Sequence, residues 1–131
     1  MATAPTSSFN STYVLLDPAA ANIVLFEQID PNPDPVAAQL VSNSSQKIFA
    51  VEIDNTFNSA DIIYFKMWEA APTVGTTAPT VILFANAGEK AQYTFDVGFT
   101  LSNVYAAALS EPGTSGNKCP TGGVIVKILM E

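Results

Sequence analysis

The chain has 131 residues, enough for one domain with a single core, and 48% of them are apolar. Twelve acidic residues against five lysines give a net charge of −7, and the sequence contains no Arg and no His. An acidic chain without Arg lacks the residue that most often binds phosphates and guanine edges, and its negative charge repels a polyanion. Nucleic-acid binding is therefore not expected. The N-terminus shows no secretory signal and no apolar run approaches the ~20 residues that span a bilayer, so we expect a soluble protein made in a cytoplasm, with no membrane partner.

The first third of the chain combines polar, proline-rich and strand-like segments. Residues 1–12 are rich in Ala, Thr, Ser and Asn and are predicted to form a flexible N-terminal arm, with residues 13–131 as a single domain. Asp17-Pro18 predicts a turn between two candidate strands. Three prolines at alternate positions in 30–35 enforce an extended, non-helical connector. The strands predicted in this part of the chain are 13–16, 22–28 and a short strand within 36–42.

The chain from Lys47 onward reads as a series of strand-length segments separated by turn residues. No amphipathic helix interrupts the series. The predicted strands are 47–56, 61–70, 80–86, 90–97, 102–109 and 123–130. Strands at this spacing predict an all-β fold, an antiparallel β-sandwich of jelly-roll or immunoglobulin-like type, with less than about a tenth of the residues in helix.

Alternation along these strands assigns their faces. Segment 61–70 is apolar on both faces, with Ile63, Phe65 and Met67 on one side and Ile62, Tyr64, Lys66 and Trp68 on the other. Segment 123–130 is apolar on both faces as well. Such strands in an antiparallel sandwich predict that an outer sheet face is buried in an oligomer, most simply a homotrimer. The predicted core comprises Phe49, Val51, Ile53, Phe65, Tyr93, Phe95, Val126 and Ile128.

Few residues suit catalysis. Without His, the common general base and the Ser-His and Cys-His couples are missing. Glycosidases use two carboxylates, and the available pairs are Glu52 with Glu69 and Asp54 with Asp61. We favour solvated charges on an outer face for all four. We therefore predict no catalytic residue and a protein that is not an enzyme.

Two further patterns suggest a ligand, and each has a plainer explanation. Asp30, Asn32 and Asp34 superficially resemble a calcium loop, but the interleaved prolines and the missing Gly and distal Glu favour a rigid acidic linker. We therefore predict no metal and no cofactor. Tyr64 and Trp68 are candidates for stacking on a sugar, although burial in the core or a subunit interface is favoured.

Cys119 is the sole cysteine, which excludes an intrachain disulfide. An activated thiol needs a nearby cation, and Lys118 is the sole candidate adjacent in sequence. We interpret Cys119 as a small residue in the loop that precedes the last strand.

Five short pieces of region 47–130 occur in a characteristic order. They are Val51–Asn55, Pro72–Pro79, Ala87-Gly88, Val97–Phe99 and Val124–Leu129. In this order they resemble small β-sandwich proteins encoded in the virion gene clusters of tailed phages. That resemblance brings no catalytic residues with it.

The resemblance implies a non-enzymatic virion structural protein. The expected role is that of a capsid decoration or cement protein that binds and stabilises the phage head, frequently as a homotrimer. The implied partners are further copies of the chain and the major capsid protein or another virion protein. A tail or fibre accessory protein, a carbohydrate-binding β-sandwich module and a generic cellular scaffold remain as alternatives.

Overall fold

The computed structural model describes residues 22–28 and 37–131, which form eight β-strands and no helix. The strands are β1 (Asn22–Gln28), β2 (Gln39–Ser42), β3 (Gln46–Asp54), β4 (Ile63–Trp68), β5 (Val81–Ala85), β6 (Lys90–Leu101), β7 (Val104–Leu109) and β8 (Val124–Met130). The predicted all-β fold is confirmed. The predicted arm 1–12, the strand 13–16 and the connector 30–35, with Asp30, Asn32 and Asp34, lie outside the described residues.

The strands form two four-stranded antiparallel sheets, ordered β1-β8-β3-β6 and β2-β7-β4-β5. The pairs β1–β8, β2–β7, β3–β6 and β4–β5 together make one long two-stranded ribbon that turns back between β4 and β5. Rolling this ribbon brings β8 beside β3 and β7 beside β4. This is the jelly-roll topology, whereas an immunoglobulin sandwich contains several hairpins of consecutive paired strands.

The core lies between the two sheets. Val51, Ile53, Phe65, Val126 and Ile128 are fully buried there, as predicted, and Tyr93 and Phe95 are half-buried against them. Phe26 of β1 meets Phe65 of β4 edge to face, with ring centroids 5.1 Å apart. Full burial of such a side chain stabilises the fold by about 1.5–3 kcal/mol, so this layer dominates stability.

Phe49 is not a core residue, and its prediction is wrong. The pairing of β3 with both β6 and β8 shifts between Ile48 and Ala50, which makes Phe49 the extra residue of a β-bulge. A single extra residue resets the two-residue alternation. Ile48 is therefore fully buried in the core, while Phe49 is half-buried outside it.

Strand β6 bulges opposite this point and continues beyond its predicted end at Val97. Thr94 pairs with Ala50 and Phe99 pairs with Ile48, so residues 95–98 protrude from the ladder. Gly98 adopts a φ of +70°, and a Cβ there would lie 2.7 Å from the Lys47 side chain, so glycine is required. Val97 lies in the protruding segment and is 82% exposed.

Candidate functional site

The four carboxylates that the sequence offered as two possible pairs have different hydrogen-bond partners and surroundings. Glu52 lies on the outer face of β3, whereas Glu69 follows β4 in the other sheet and accepts a hydrogen bond from the Ser102 amide at 3.0 Å. Asp54 accepts hydrogen bonds from the amide and hydroxyl of Thr56, at 3.0 and 2.6 Å. Glu69 is thus in a different sheet from Glu52, whereas Glu52 and Asp54 lie two residues apart on β3 and are close enough for their charges to interact.

The last of the four candidates, Asp61, accepts a hydrogen bond from the Thr121 hydroxyl at 3.2 Å. Asp54 thus holds the start of the loop 55–62, and Asp61, near the end of that loop, connects it to the loop before β8. Within residues 22–28 and 37–131, no three Asp, Glu or Cys side chains converge to form a metal site.

Glu52 is not solvated, which corrects the prediction for this residue. It is 4% exposed, because β3 is a central strand and the side chains of Lys127 and Gln92 lie on either side of it. Burial raises the pKa of the Glu52 carboxyl and the nearby Asp54 raises it further, while Lys90 and Lys127 act in the opposite direction.

Lys66 fastens a loop to the outer face of the second sheet. Its side chain points outward from β4, as predicted, yet it is completely buried. The ammonium donates hydrogen bonds to the carbonyls of Gly113 and Gly116, at 2.5 and 3.0 Å. Burial lowers the pKa of Lys66, and Glu111 partly offsets this. The Lys66 ammonium therefore has a structural role, because both backbone carbonyls that it bonds belong to the loop that it holds against the sheet.

Trp68 is covered by the loops of its own chain. It is 2% exposed, packs with Val74, Ala107 and Leu109, and donates from its indole nitrogen to the Thr77 carbonyl at 3.0 Å. Cys119 is half-buried against the same cluster, in keeping with its interpretation as a loop residue. Trp68 is therefore buried, as favoured from the sequence, and its own chain covers it.

Two buried asparagines join the loops at one end of the sandwich. Asn58 donates to the carbonyls of Gly122 and Gly123, each at 3.2 Å, and accepts from the Gly122 amide at 2.5 Å. Asn55 donates to the Asp61 and Asn86 carbonyls at 2.9 and 3.0 Å. Asparagine is common in turns, so nothing in the sequence marked these two side chains as buried.

An apolar patch remains exposed on the second sheet beyond the covering loops. We define this β4–β5 patch as Ile62, Tyr64, Ile82 and Phe84. Tyr64 pairs with Phe84 across the two strands, and Phe84 is 48% exposed. The Tyr93 hydroxyl accepts from the Phe84 amide at 3.3 Å and donates to its carbonyl at 2.6 Å, which fixes the edge of β5. Rigid apolar side chains on a sheet are suited to contact with a protein surface.

Further exposed apolar side chains lie away from this patch. They are Ile23 and Leu25 on β1, Leu40 on β2, Phe57 in the loop after β3, and Val97 in the β6 bulge. Single exposed apolar residues are normal, but Ile23 and Leu25 are neighbours on one face of an edge strand. Those two therefore form a second, smaller apolar surface.

No family model, curated protein or solved structure matches the chain. The resemblance to virion sandwiches therefore rests on the sequence pieces alone. None of the described residues belongs to a helix that is long and apolar enough to cross a membrane.

Proposed function

We propose that the protein is a non-enzymatic structural protein of a phage virion, a decoration or cement protein that binds the head and stabilises it. The observation that carries the proposal is the β4–β5 patch, which stays apolar and exposed while the chain's own loops cover Lys66 and Trp68 on the same face. An apolar patch on a stiff sheet favours protein contact, because little ordering entropy is lost on binding.

The use of the polar side chains supports a rigid binding block. Lys66, Asn58 and Glu69 each hold a loop through hydrogen bonds to backbone groups. These residue types often perform chemistry in enzymes, but here their donors and acceptors are committed to the fold. A protein bound to a capsid benefits from such stiffness, since flexible loops are the usual sites of proteolysis.

The proposed state is a homotrimer in which the β4–β5 patch forms the contact between subunits. Burying Phe84 and Ile82 against a neighbour would stabilise the trimer by about 25 cal/mol for each Å² of apolar surface removed from water. The major capsid protein is the proposed partner of the assembled trimer, with residues 1–12 as the segment that attaches to it.

A carbohydrate-binding module is the second candidate, and one observation favours it. Tyr64 and Phe84 lie side by side on an accessible face, and aromatic side chains of this kind stack on sugar rings. This alternative predicts binding to a glycan array that is lost in Phe84→Ser.

The test is co-sedimentation with undecorated capsids of the phage whose genome carries the sequence. We expect saturable binding of the full-length protein, and weaker binding of a variant that lacks residues 1–12 but folds normally. Equal binding by the full-length protein and the shortened variant would show that residues 1–12 do not attach the protein to the capsid. Failure of the full-length protein to bind any capsid or tail component, together with clear glycan binding, would favour the carbohydrate-binding candidate.

A further inference from the structure

Phe57 is the most exposed aromatic residue in the part of the chain that the structure describes, with 67% exposure. It lies in the turn 55–58 that follows β3, where the Asn58 amide donates to the Asn55 carbonyl at 3.1 Å. A single exposed apolar residue is common, so exposure alone identifies no site. What distinguishes Phe57 is how the turn that carries it is held.

The residues that open and close this turn have buried, hydrogen-bonded side chains. Asn55 is fully buried, and its side-chain nitrogen donates to the carbonyls of Asp61 and Asn86 at 2.9 and 3.0 Å. Asn58 is buried as well and bonds the loop before β8 through both ends of its side-chain amide. The turn is therefore fixed to two other loops on either side of Phe57.

The backbone between these two asparagines is held too. Asp54 accepts hydrogen bonds from the amide and the hydroxyl of Thr56. A Cβ on Gly122 would lie 2.5 Å from the Phe57 carbonyl oxygen, so the loop before β8 packs directly against the turn. A partner that buries Phe57 would consequently lose little conformational entropy in ordering this segment, which favours tight binding.

The segments bonded to the turn carry three carboxylates and one ammonium group. They are Asp54, Asp61, Glu89 and Lys90. Glu89 is next to the turn because its backbone carbonyl accepts a hydrogen bond from the Asn55 amide at 3.0 Å. Lys90 lies opposite Asp54 in the pairing of β3 with β6. The surface around Phe57 thus combines a fixed aromatic group with a net negative charge.

We propose that Phe57 is an anchor residue that inserts into an apolar pocket bordered by basic side chains on a partner protein. This inference rests on the proposed function, in which the partner belongs to the phage head. Aromatic residues are enriched at the centres of protein interfaces, and complementary charge around them favours the correct partner. A second copy of the chain does not suit this surface, because its own net charge is −7.

Co-sedimentation with undecorated capsids tests the anchor. The variant is Phe57→Ser, and the matched control is Val97→Ser, since Val97 is even more exposed but lies in the β6 bulge. Because both positions are exposed, we expect both variants to keep the Tm of the wild type. We expect Phe57→Ser to bind capsids at least about tenfold more weakly and Val97→Ser to bind like the wild type.

A second pair of variants tests the charge separately from the apolar contact. Glu89→Gln and Asp96→Asn each remove one exposed negative charge, but Asp96 lies in the β6 bulge, away from the turn. We expect Glu89→Gln to weaken binding at low salt, with a smaller loss at high salt, and Asp96→Asn to have no effect. Equal effects of the two substitutions would overturn the assignment of a basic border to the pocket.

The outcomes separate this inference from the proposed function. Wild-type binding that Phe57→Ser leaves unchanged would overturn the anchor alone, whereas a wild type that binds no capsid would overturn both. If Phe57→Ser instead abolished binding to a glycan array, the turn would contact a sugar, and docking on a protein would be overturned.

Backbone NMR relaxation of the free protein tests the rigid presentation without any partner. We expect order parameters of about 0.85 for the amides of residues 55–58, as in the strands. Values below about 0.6 would show a flexible turn and would overturn Phe57 as a preorganised anchor.

Discussion

Replacing Asn58 by alanine tests how the loops at one end of the sandwich are held. The substitution removes two hydrogen bonds to the Gly122 and Gly123 carbonyls and one from the Gly122 amide. Each is worth about 0.5–1.5 kcal/mol net, and Asn58 is nearly fully buried, so water cannot replace it without a rearrangement. We expect the free energy of unfolding to fall by about 2–4 kcal/mol, which lowers Tm by roughly 10 °C in a domain of this size.

Urea denaturation followed by circular dichroism measures the loss. The matched control is Asn43→Ala, since Asn43 is exposed in the turn between β2 and β3, and its effect should stay within about 0.5 kcal/mol. Asn58→Asp is a second variant that keeps an acceptor for the Gly122 amide but places a charge against two carbonyls, so it should also destabilise. An Asn58→Ala protein as stable as the control would refute the role given to this side chain.

Three further predictions follow from burial, charge and the exposed patch. Phe65→Ala should cost about 3–5 kcal/mol in urea denaturation, and Phe49→Ala clearly less because it lies outside the core; equal losses would contradict the bulge. Burial raises the pKa of Glu52 in the folded protein above its ordinary value of 4.5, so the folded state binds the proton more tightly than the unfolded state. The free energy of unfolding therefore falls as the pH rises from 4.5 through the raised pKa. Glu52→Gln should therefore gain stability relative to wild type between about pH 4 and pH 7, and a difference that does not change with pH would argue against this. Light scattering should give three times the 13.8 kDa chain mass, reduced by Phe84→Ser but not by Val97→Ser; a wild-type monomer at micromolar concentration would contradict the trimer.

The strands were predictable from sequence because their signals are local. Alternation and turn residues located all the strands of the described region, and β1 matches its predicted bounds, 22–28. The order of the strands was not predictable in the same way. The pairing of β8 with β3 joins residues far apart in sequence, and it was this pairing that distinguished a jelly roll from an immunoglobulin-like sandwich.

The errors arose where one local pattern allowed two structures. The alternation of β3 continues through Phe49 in the sequence, and the bulge that displaces it depends on pairing with both neighbouring strands. Gly98 was a usable signal, because a glycine inside a strand often marks a bulge, whereas the predicted strand ended at Val97.

The candidate site was only partly predictable, for a similar reason. Alternation placed Tyr64, Lys66 and Trp68 on the outer face of β4 correctly. Which of them stays exposed depends on loops 69–80 and 110–123, whose paths over the sheet are set by tertiary hydrogen bonds. Tyr64 alone of the three thus contributes to the β4–β5 patch.

Quantitative mass spectrometry of purified, salt-washed virions tests the central claim most directly. Such virions would come from the phage that encodes the protein under this proposal. A decoration protein should be present in a fixed ratio to the major capsid protein, in hundreds of copies per particle. A handful of copies would place the protein in the tail or neck instead of on the head. Its absence from washed virions, with the major capsid protein present in full amount, would contradict the proposal that this jelly roll is a virion protein.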